Sequence, residues 1–147
     1  MVCELRKKAV CDEGEHVMAK KIAIVEHSLL RAHERTRKKH LEELVAEIKH
    51  DGYIWDPVLV DKNTMIILDG HHRCAALKQL GLSRVPVRLV DYTGDEVQVT
   101  SWRKGDRVTK QAVINAGLSG KLLPIKTSRH LYDKEGFIVH VPLKNLK

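Results

Sequence analysis

A strand-like run that breaks at an Asp-Gly pair and continues into an amphipathic segment most constrains the fold of this chain. The run is residues 65–68, the break is Asp69-Gly70, and residues 72–80 follow with a helical spacing of apolar positions before Gly81. Aliphatic and β-branched residues favour a strand, whereas apolar positions three and four apart favour a helix. The sequence therefore predicts a strand that passes directly into a helix through a tight turn.

The start of this predicted helix has the composition of an anion site. The first N–H groups of a helix have no intrahelical partner and carry a partial positive charge, so they attract anions. Gly70 lets the backbone approach a ligand closely, and Arg73 can bind a phosphate through two parallel N–H donors. His71 and His72 add further donors, while Asp69 can hold Mg²⁺ or accept a proton. An isolated Asp-Gly pair more often only caps a helix, but four polar groups at one turn favour a phosphate site.

The remaining periodicities predict an α+β domain, a mixed β-sheet with flanking helices, over residues 1–147. Residues 1–20 have no clear pattern. Predicted strands are residues 21–26, 57–61, 65–68, 85–90, 96–100 and 137–141, with residues 57–68 forming a hairpin. Pro86 favours an edge strand or a strand start. One predicted helix runs from an N-cap at Thr36 to Asp51-Gly52, with an apolar stripe formed by Leu41, Leu44, Val45 and Ile48. A second covers residues 108–116 and ends at Gly117, and residues 120–130 are predicted as a basic loop.

Composition narrows the partners without choosing one. The formal net charge of +7 and the pI of about 9.4 favour anionic ligands, such as nucleotides or nucleic acid, or simply give a solvated basic surface. Three cysteines without a C-x-x-C pair disfavour a disulfide framework or a zinc site, and a reducing cytoplasm is expected. No apolar run approaches the roughly 18 residues of a membrane span.

Residues 67–81, I-L-D-G-H-H-R-C-A-A-L-K-Q-L-G, resemble the phosphate-binding motif of the ParB/sulfiredoxin-like superfamily. The D-G-H-H-R sequence at residues 69–73 resembles the form of this motif in the free L-serine kinase branch of the superfamily. The similarity extends upstream to His33-Glu34 and residues 52–57, and downstream to residues 91–92, 100–102 and 128–130. The resemblance implies the ParB/sulfiredoxin-like fold, with residues 104–147 as an abbreviated C-terminal segment on the substrate side.

Single residues distinguish the sister activities. Sulfiredoxin needs a cysteine directly before the His-Arg pair, where this chain has His71; Cys74 lies after the arginine. ParB proper has G-E-R-R and a long helix-turn-helix region, for which few residues follow Trp102. The resemblance therefore favours a kinase that phosphorylates the hydroxyl of free L-serine. The alternative is a ParB-like nucleotide-binding regulatory or DNA-binding module without kinase activity.

The kinase resemblance also implies roles for residues of this chain. Nucleotide phosphates would lie on Gly70, His71, His72 and Arg73, and Asp69 would bind Mg²⁺ or orient the acceptor. Glu34 would be the general base, and the amino-acid pocket would be lined by Trp102, Ser128 and His130. ADP and ATP both remain open as donor, as do threonine and other small hydroxyl compounds as acceptor. Nucleic acid is not the expected partner, although residues 31–40 are strongly basic.

Overall fold

A computed structural model describes residues 22–102, 105, 107–133 and 138–147. The predicted irregular stretch of residues 1–20 lies outside the described residues. The elements, in chain order, are β1 (Ile22–Glu26), α1 (Lys38–Asp51), β2 (Tyr53–Ile54), β3 (Val58–Asp61), β4 (Ile67–Asp69), α2 (His71–Gln79), β5 (Arg84–Val90), β6 (Gln98–Ser101), α3 (Lys110–Ser119), β7 (Ser128–Leu131) and β8 (Val141–Pro142). Short 3₁₀ turns cover His27–Leu29 and Leu143–Leu146.

The central sheet is mixed, as the sequence predicts. Its strand order is β1-β5-β3-β4, in which β5 pairs antiparallel with β1 and parallel with β3, and β3 and β4 form the predicted antiparallel hairpin. Two further ribbons pair β2 with β8 and β6 with β7. Helix α2 connects β4 to β5, so the strand–helix junction lies at one end of the main sheet.

Side chains from the two faces of the sheet pack into separate apolar clusters. Val58 and Val60 belong to the cluster that α1 and α2 cover, whereas Leu59, between them, belongs to the cluster that contains Val113 of α3. This alternation follows from the period of two in a strand. The predicted apolar stripe of α1 is confirmed, since all its members lie in the first cluster: Leu41, Leu44, Val45 and Ile48.

Several predicted boundaries were wrong. Helix α1 has Arg37, not Thr36, at its N-cap, without a side-chain cap. The strand containing Pro86 is not an edge strand, because it pairs on both sides; Pro86 lies opposite Ile24 and just before the parallel pairing begins at Val87. The basic loop predicted for residues 120–130 is interrupted by β7, which pairs with β6.

The last predicted strand, residues 137–141, was only partly right. Phe137 lies outside the described residues, and residues 138–140 are not in a strand. The strand that does form is Val141–Pro142, which pairs with β2. None of the described helices is long and apolar enough to cross a bilayer.

Helix α3 continues through Gly117, where the sequence predicted its end. Thr109 caps the helix by accepting the N–H of Ala112, and the helix ends at Gly120, which has a φ of 76°. Gly117 is buried against Ile66: a Cβ there would lie 2.6 Å from Ile66 Cδ1. The glycine thus permits close packing of α3 on the hairpin rather than terminating the helix.

Gly117→Ala is therefore expected to destabilise the protein by about 1–3 kcal/mol, since overpacking outweighs the gain in helix propensity. Urea denaturation measures the change. Ile66→Ala removes the opposing atoms. In a double-mutant cycle, the double mutant should therefore lose less stability than the sum of the losses in the two single mutants. Equal or greater stability of Gly117→Ala alone would contradict this packing.

Candidate functional site

The helix start at Gly70 has the backbone geometry that the sequence predicts. Gly70 is the N-cap of α2 with a φ of 103°, a conformation that strongly favours glycine. A Cβ there would lie 3.0 Å from Arg73 Nη1 and 3.2 Å from Val58 Cγ2. The first helical bond joins the Cys74 N–H to the Gly70 carbonyl at 2.9 Å, so the N–H groups of residues 71–73 precede the helical ladder.

The imidazoles of His71 and His72 are fixed by backbone contacts. Nε2 of His71 accepts the N–H of His33 at 3.1 Å, and Nε2 of His72 accepts the N–H of Arg37 at 2.8 Å. A ring nitrogen that accepts carries no proton, so each neutral ring holds its proton on Nδ1. Desolvation lowers the pKa of both rings, with neighbouring histidines adding to the effect, and the ring of His40 stacks on His72 at 4.3 Å. Each imidazole thus offers one neutral donor rather than a positive charge.

Asp69, at the end of β4, is held from the opposite side of the junction. Its Oδ2 accepts the phenolic O–H of Tyr132. Burial and the nearby Asp69 raise the pKa of Tyr132, so this phenol remains a donor. The guanidinium of Arg88 lies 5.5 Å from the centroid of the Tyr132 ring and donates to Glu96 at 2.8 Å. The Asp69 carboxylate is therefore oriented by its surroundings.

Glu34 lies on an extended segment that is tied down on both sides. The Ile67 N–H donates to the Arg31 carbonyl at 2.8 Å, and the Arg35 N–H donates to the Leu123 carbonyl at 2.9 Å. Glu34 itself accepts the Thr127 N–H through Oε1 at 2.7 Å.

The carboxylate of Glu34 is largely withdrawn from solvent, with 12% of its side chain exposed. Its Oε2 lies 3.0 Å from Ser128 Oγ, which can donate to it. Burial raises the pKa of Glu34, while the hydrogen bond from the Thr127 N–H opposes the shift. A partly buried carboxylate whose pKa is raised is better suited to accept a proton than an exposed glutamate.

Every residue that the sequence and its resemblance placed in a site lines one cavity of about 640 Å³. The nine residues are Glu34, Asp69, Gly70, His71, His72, Arg73, Trp102, Ser128 and His130. Arg35, Lys126 and Arg129 also line it, so the walls are rich in positive charge. The cavity thus combines a helix start, several cations and a carboxylate of raised pKa, which suits an anionic ligand beside a group that can accept a proton.

The residues expected to contact the acceptor differ in their surroundings. Trp102 is 54% exposed, and the guanidinium of Arg129 lies 4.7 Å from the centroid of its ring. Nε2 of His130 lies at hydrogen-bond distance, 2.8 Å, from the hydroxyl of Tyr92, and burial lowers the pKa of His130 to about 3, so the ring is neutral. Ser128 is only 5% exposed, and its hydroxyl faces protein groups.

Sequence reasoning missed Tyr132 and gave His33 no role of its own. Tyr132 had a readable signal, because Ser128, His130 and Tyr132 alternate along and beyond β7 and therefore point to the same side. His33 is fully buried and more than 30 residues away in sequence from its hydrogen-bond partners, so no local pattern reveals it.

A mixed sheet whose hairpin passes through Asp69-Gly70 directly into helix α2 is the arrangement of a ParB/sulfiredoxin-like domain. The sequence model of the ParB N-terminal domain matches residues 6–101. The chain belongs to this family.

Individual relatives include kinases. The chain is 36% identical over 89 residues to an ADP-dependent L-serine kinase of Thermococcus kodakarensis, a match covering 56% of this chain and 37% of that protein. It is 39% identical over 75 residues to a ParB-like protein of Sulfolobus acidocaldarius, covering 51% and 37%. The matched regions therefore span little more than a third of these relatives. A solved free serine kinase in complex with AMP has the same fold, with a TM-score of 0.79, 20% identity, and coverage of 87% and 94% of the two chains.

Proposed function

We propose that this protein transfers a phosphoryl group from ADP or ATP to the hydroxyl of free L-serine. The observation that carries the proposal is that Glu34 and the helix start at residues 69–73 line the same cavity. The similarity to L-serine kinases supports it, because the matched relatives include both ADP-dependent and ATP-dependent enzymes.

The start of helix α2 would bind the nucleotide phosphates. Arg73 supplies the permanent positive charge, and the backbone N–H groups of residues 71–73 supply donors before the helical ladder begins. Nδ1–H of His71 and His72 adds neutral donors. Phosphoryl transfer depends mainly on positioning and on stabilising charge on the transferring group, which these groups can do.

Asp69 is the residue that would hold Mg²⁺. Only one of its oxygens accepts from Tyr132, and Mg²⁺ at such sites takes one or two carboxylates together with substrate phosphates and water. No cluster of three or more ligating side chains occurs among the described residues, so most of its ligands would come from the nucleotide and water. Bound there, the ion would neutralise developing phosphate charge.

Glu34 would take the proton from the acceptor hydroxyl. The O–H electron pair would remain on the acceptor oxygen, which forms the new bond to phosphorus as the bond to the nucleotide breaks. Thr127 fixes the carboxylate, and its raised pKa improves it as a base.

His130→Ala is expected to raise the KM for serine about five- to tenfold, with nucleotide affinity unchanged, because it removes one neutral hydrogen-bonding group from the acceptor side. Steady-state kinetics and calorimetry test this. Tyr92→Phe, which removes only the hydroxyl that anchors His130, should shift KM in the same direction by less. An altered nucleotide affinity with an unchanged KM for serine would show that His130 contacts the nucleotide and not the acceptor.

The function is tested by incubating the full chain with Mg²⁺, each nucleotide and a panel of free hydroxyl compounds, and identifying products by mass spectrometry. O-Phosphoserine as the main product supports the proposal. A ParB-like module would instead bind DNA with a steep dependence on salt. Selective DNA binding at physiological salt without any phosphorylated product would favour that alternative.

A further inference from the structure

A chain of three polar side chains extends from Glu34 into the protein interior. Ser128 Oγ lies 3.0 Å from Glu34 Oε2 and 2.8 Å from His33 Nε2. On the other side of its ring, His33 Nδ1 lies 2.6 Å from the carbonyl oxygen of Ile67. His33 is fully buried, so these contacts are the surroundings in which its ring must be satisfied.

The hydrogens in this chain can be assigned by counting donors. A carbonyl oxygen only accepts, so Nδ1 of His33 carries a proton and donates to Ile67. Burial lowers the pKa of His33 to about 4, which leaves the ring neutral and Nε2 an acceptor at neutral pH. Ser128 therefore has one hydroxyl hydrogen and two acceptors facing it, Nε2 of His33 and the carboxylate of Glu34.

The two protonation states of Glu34 satisfy this chain differently. When Glu34 is ionised, Ser128 donates to it, and Nε2 of His33 then faces an oxygen lone pair without a hydrogen between them. When Glu34 is protonated, it can donate to Ser128 Oγ while Ser128 donates to His33. The second state makes both hydrogen bonds, and leaving a buried acceptor unsatisfied is costly.

We propose that Ser128 and His33 form a hydrogen-bond relay behind Glu34, which reorients when Glu34 takes a proton from the acceptor hydroxyl and so holds that proton on Glu34. This inference rests on the proposed function. Ser128 and His33 are positioning residues, since they act through Glu34. The role differs from substrate contact, which the family resemblance suggests for Ser128.

The proton balance of the step is simple. One proton leaves the acceptor oxygen and becomes bonded to Glu34, and the electron pair stays on the acceptor oxygen. The hydroxyl of Ser128 then turns from Glu34 to His33, without any proton leaving Ser128 or entering the His33 ring. After product release, Glu34 returns its proton to solvent and the hydroxyl of Ser128 turns back.

Other titratable groups surround the relay. The rings of His71 and His130 lie 4.5 Å and 5.6 Å from that of His33, measured between centroids, and burial keeps both neutral. On the cavity side, the cationic side chains of Arg35 and Lys126 line the wall with Glu34. Since burial raises the pKa of Glu34, it is the group expected to titrate on the acid side.

Kinetics of Ser128→Ala separate three roles for the hydroxyl. A relay predicts that kcat falls about tenfold, the equivalent of one hydrogen bond in the transition state, while the KM for serine changes by less than about twofold. It also predicts that the acid-side midpoint of the pH–kcat/KM profile moves to lower pH. Without the Ser128 hydroxyl, the protonated form of Glu34 is no longer stabilised by the two hydrogen bonds of the relay. Ser128→Thr keeps the hydroxyl and should restore both values.

Two outcomes would overturn the relay. A midpoint that moves to higher pH would mean that Ser128 is only a donor to the ionised carboxylate. A raised KM with unchanged kcat would mean that Ser128 contacts the acceptor directly. Thermal melting of each variant without ligand shows whether it is folded, and Ser128→Thr provides the comparison if Ser128→Ala is not.

A second readout needs no turnover, so it remains decisive even if the wild type does not phosphorylate serine. In the full chain labelled with ¹⁵N-histidine, the chemical shift of His33 Nε2 should change as Glu34 gains its proton. The change should be from the value of a nitrogen without a hydrogen bond to that of one that accepts a hydrogen bond. The movement should vanish in Glu34→Gln and in Ser128→Ala. An Nε2 resonance that does not follow Glu34, or follows it equally in Ser128→Ala, would overturn the relay; absent product alone would overturn only the kinase.

Discussion

Glu34→Gln is expected to lower kcat by about 10²–10⁴-fold while nucleotide affinity stays unchanged. The amide has nearly the shape of the carboxyl group and can still accept the Thr127 N–H through its oxygen, but it cannot take a proton from the acceptor. Steady-state rates of serine phosphorylation and calorimetry with ADP and ATP measure the two quantities. Glu43→Gln, an exposed position on α1, is the matched control and should leave both unchanged.

The assignment of Glu34 as base also predicts the direction in which activity changes with pH. Glu34 acts as a base only when ionised, so activity should rise with pH through its pKa. Because burial raises that pKa, the midpoint should lie above the 4.5 of an ordinary glutamate. Wild-type turnover in Glu34→Gln, or a midpoint below 4.5 in the wild type, would contradict the assignment of Glu34 as base.

Arg73→Ala is expected to weaken ADP and ATP binding by about 10- to 150-fold, the range for losing hydrogen bonds to a charged group. The rise in melting temperature that nucleotide produces in the wild type should largely disappear. Arg73→Lys keeps the charge but not the two parallel donors, so its affinity should be intermediate.

Arg84→Ala, on an exposed position of β5, is the matched control and should bind like the wild type. Melting without nucleotide checks the fold, because Arg73 Nη1 also lies 3.4 Å from the Pro57 carbonyl. Unchanged affinity in folded Arg73→Ala would show that the phosphates do not lie at this helix start.

The sequence predicts the strand–turn–helix junction well, because everything that determines it is local. Gly70 adopts the positive φ that its residue type permits, and Arg73 follows within the first turn. The apolar stripe of α1 and the β3–β4 hairpin were confirmed for the same reason, since periodicity and turn residues are read over a few neighbouring positions. The prediction that Glu34 and residues 128–130 lie near this junction depended on the family resemblance.

Features that depend on distant contacts were not predictable. Gly117 has the appearance of a helix end, and only the position of Ile66 shows why a glycine lies inside α3. The family resemblance placed Ser128 in the amino-acid pocket, whereas its hydrogen bonds to His33 and Glu34, 95 and 94 residues away along the chain, had no sequence signal. Pairing of β7 with β6 places Ser128 there, and no local signal in the predicted basic loop indicates that pairing.

Serine kinase activity is tested by following the transferred phosphoryl group itself. The full chain is incubated with Mg²⁺, L-serine and ADP or ATP, each labelled in its terminal phosphate, and labelled product is identified and counted. We expect labelled O-phosphoserine in amounts equal to the AMP or ADP formed, with threonine and sugars labelled more slowly. Nucleotide binding without label in any amino acid would contradict it, and so would preferential labelling of a sugar or polyol.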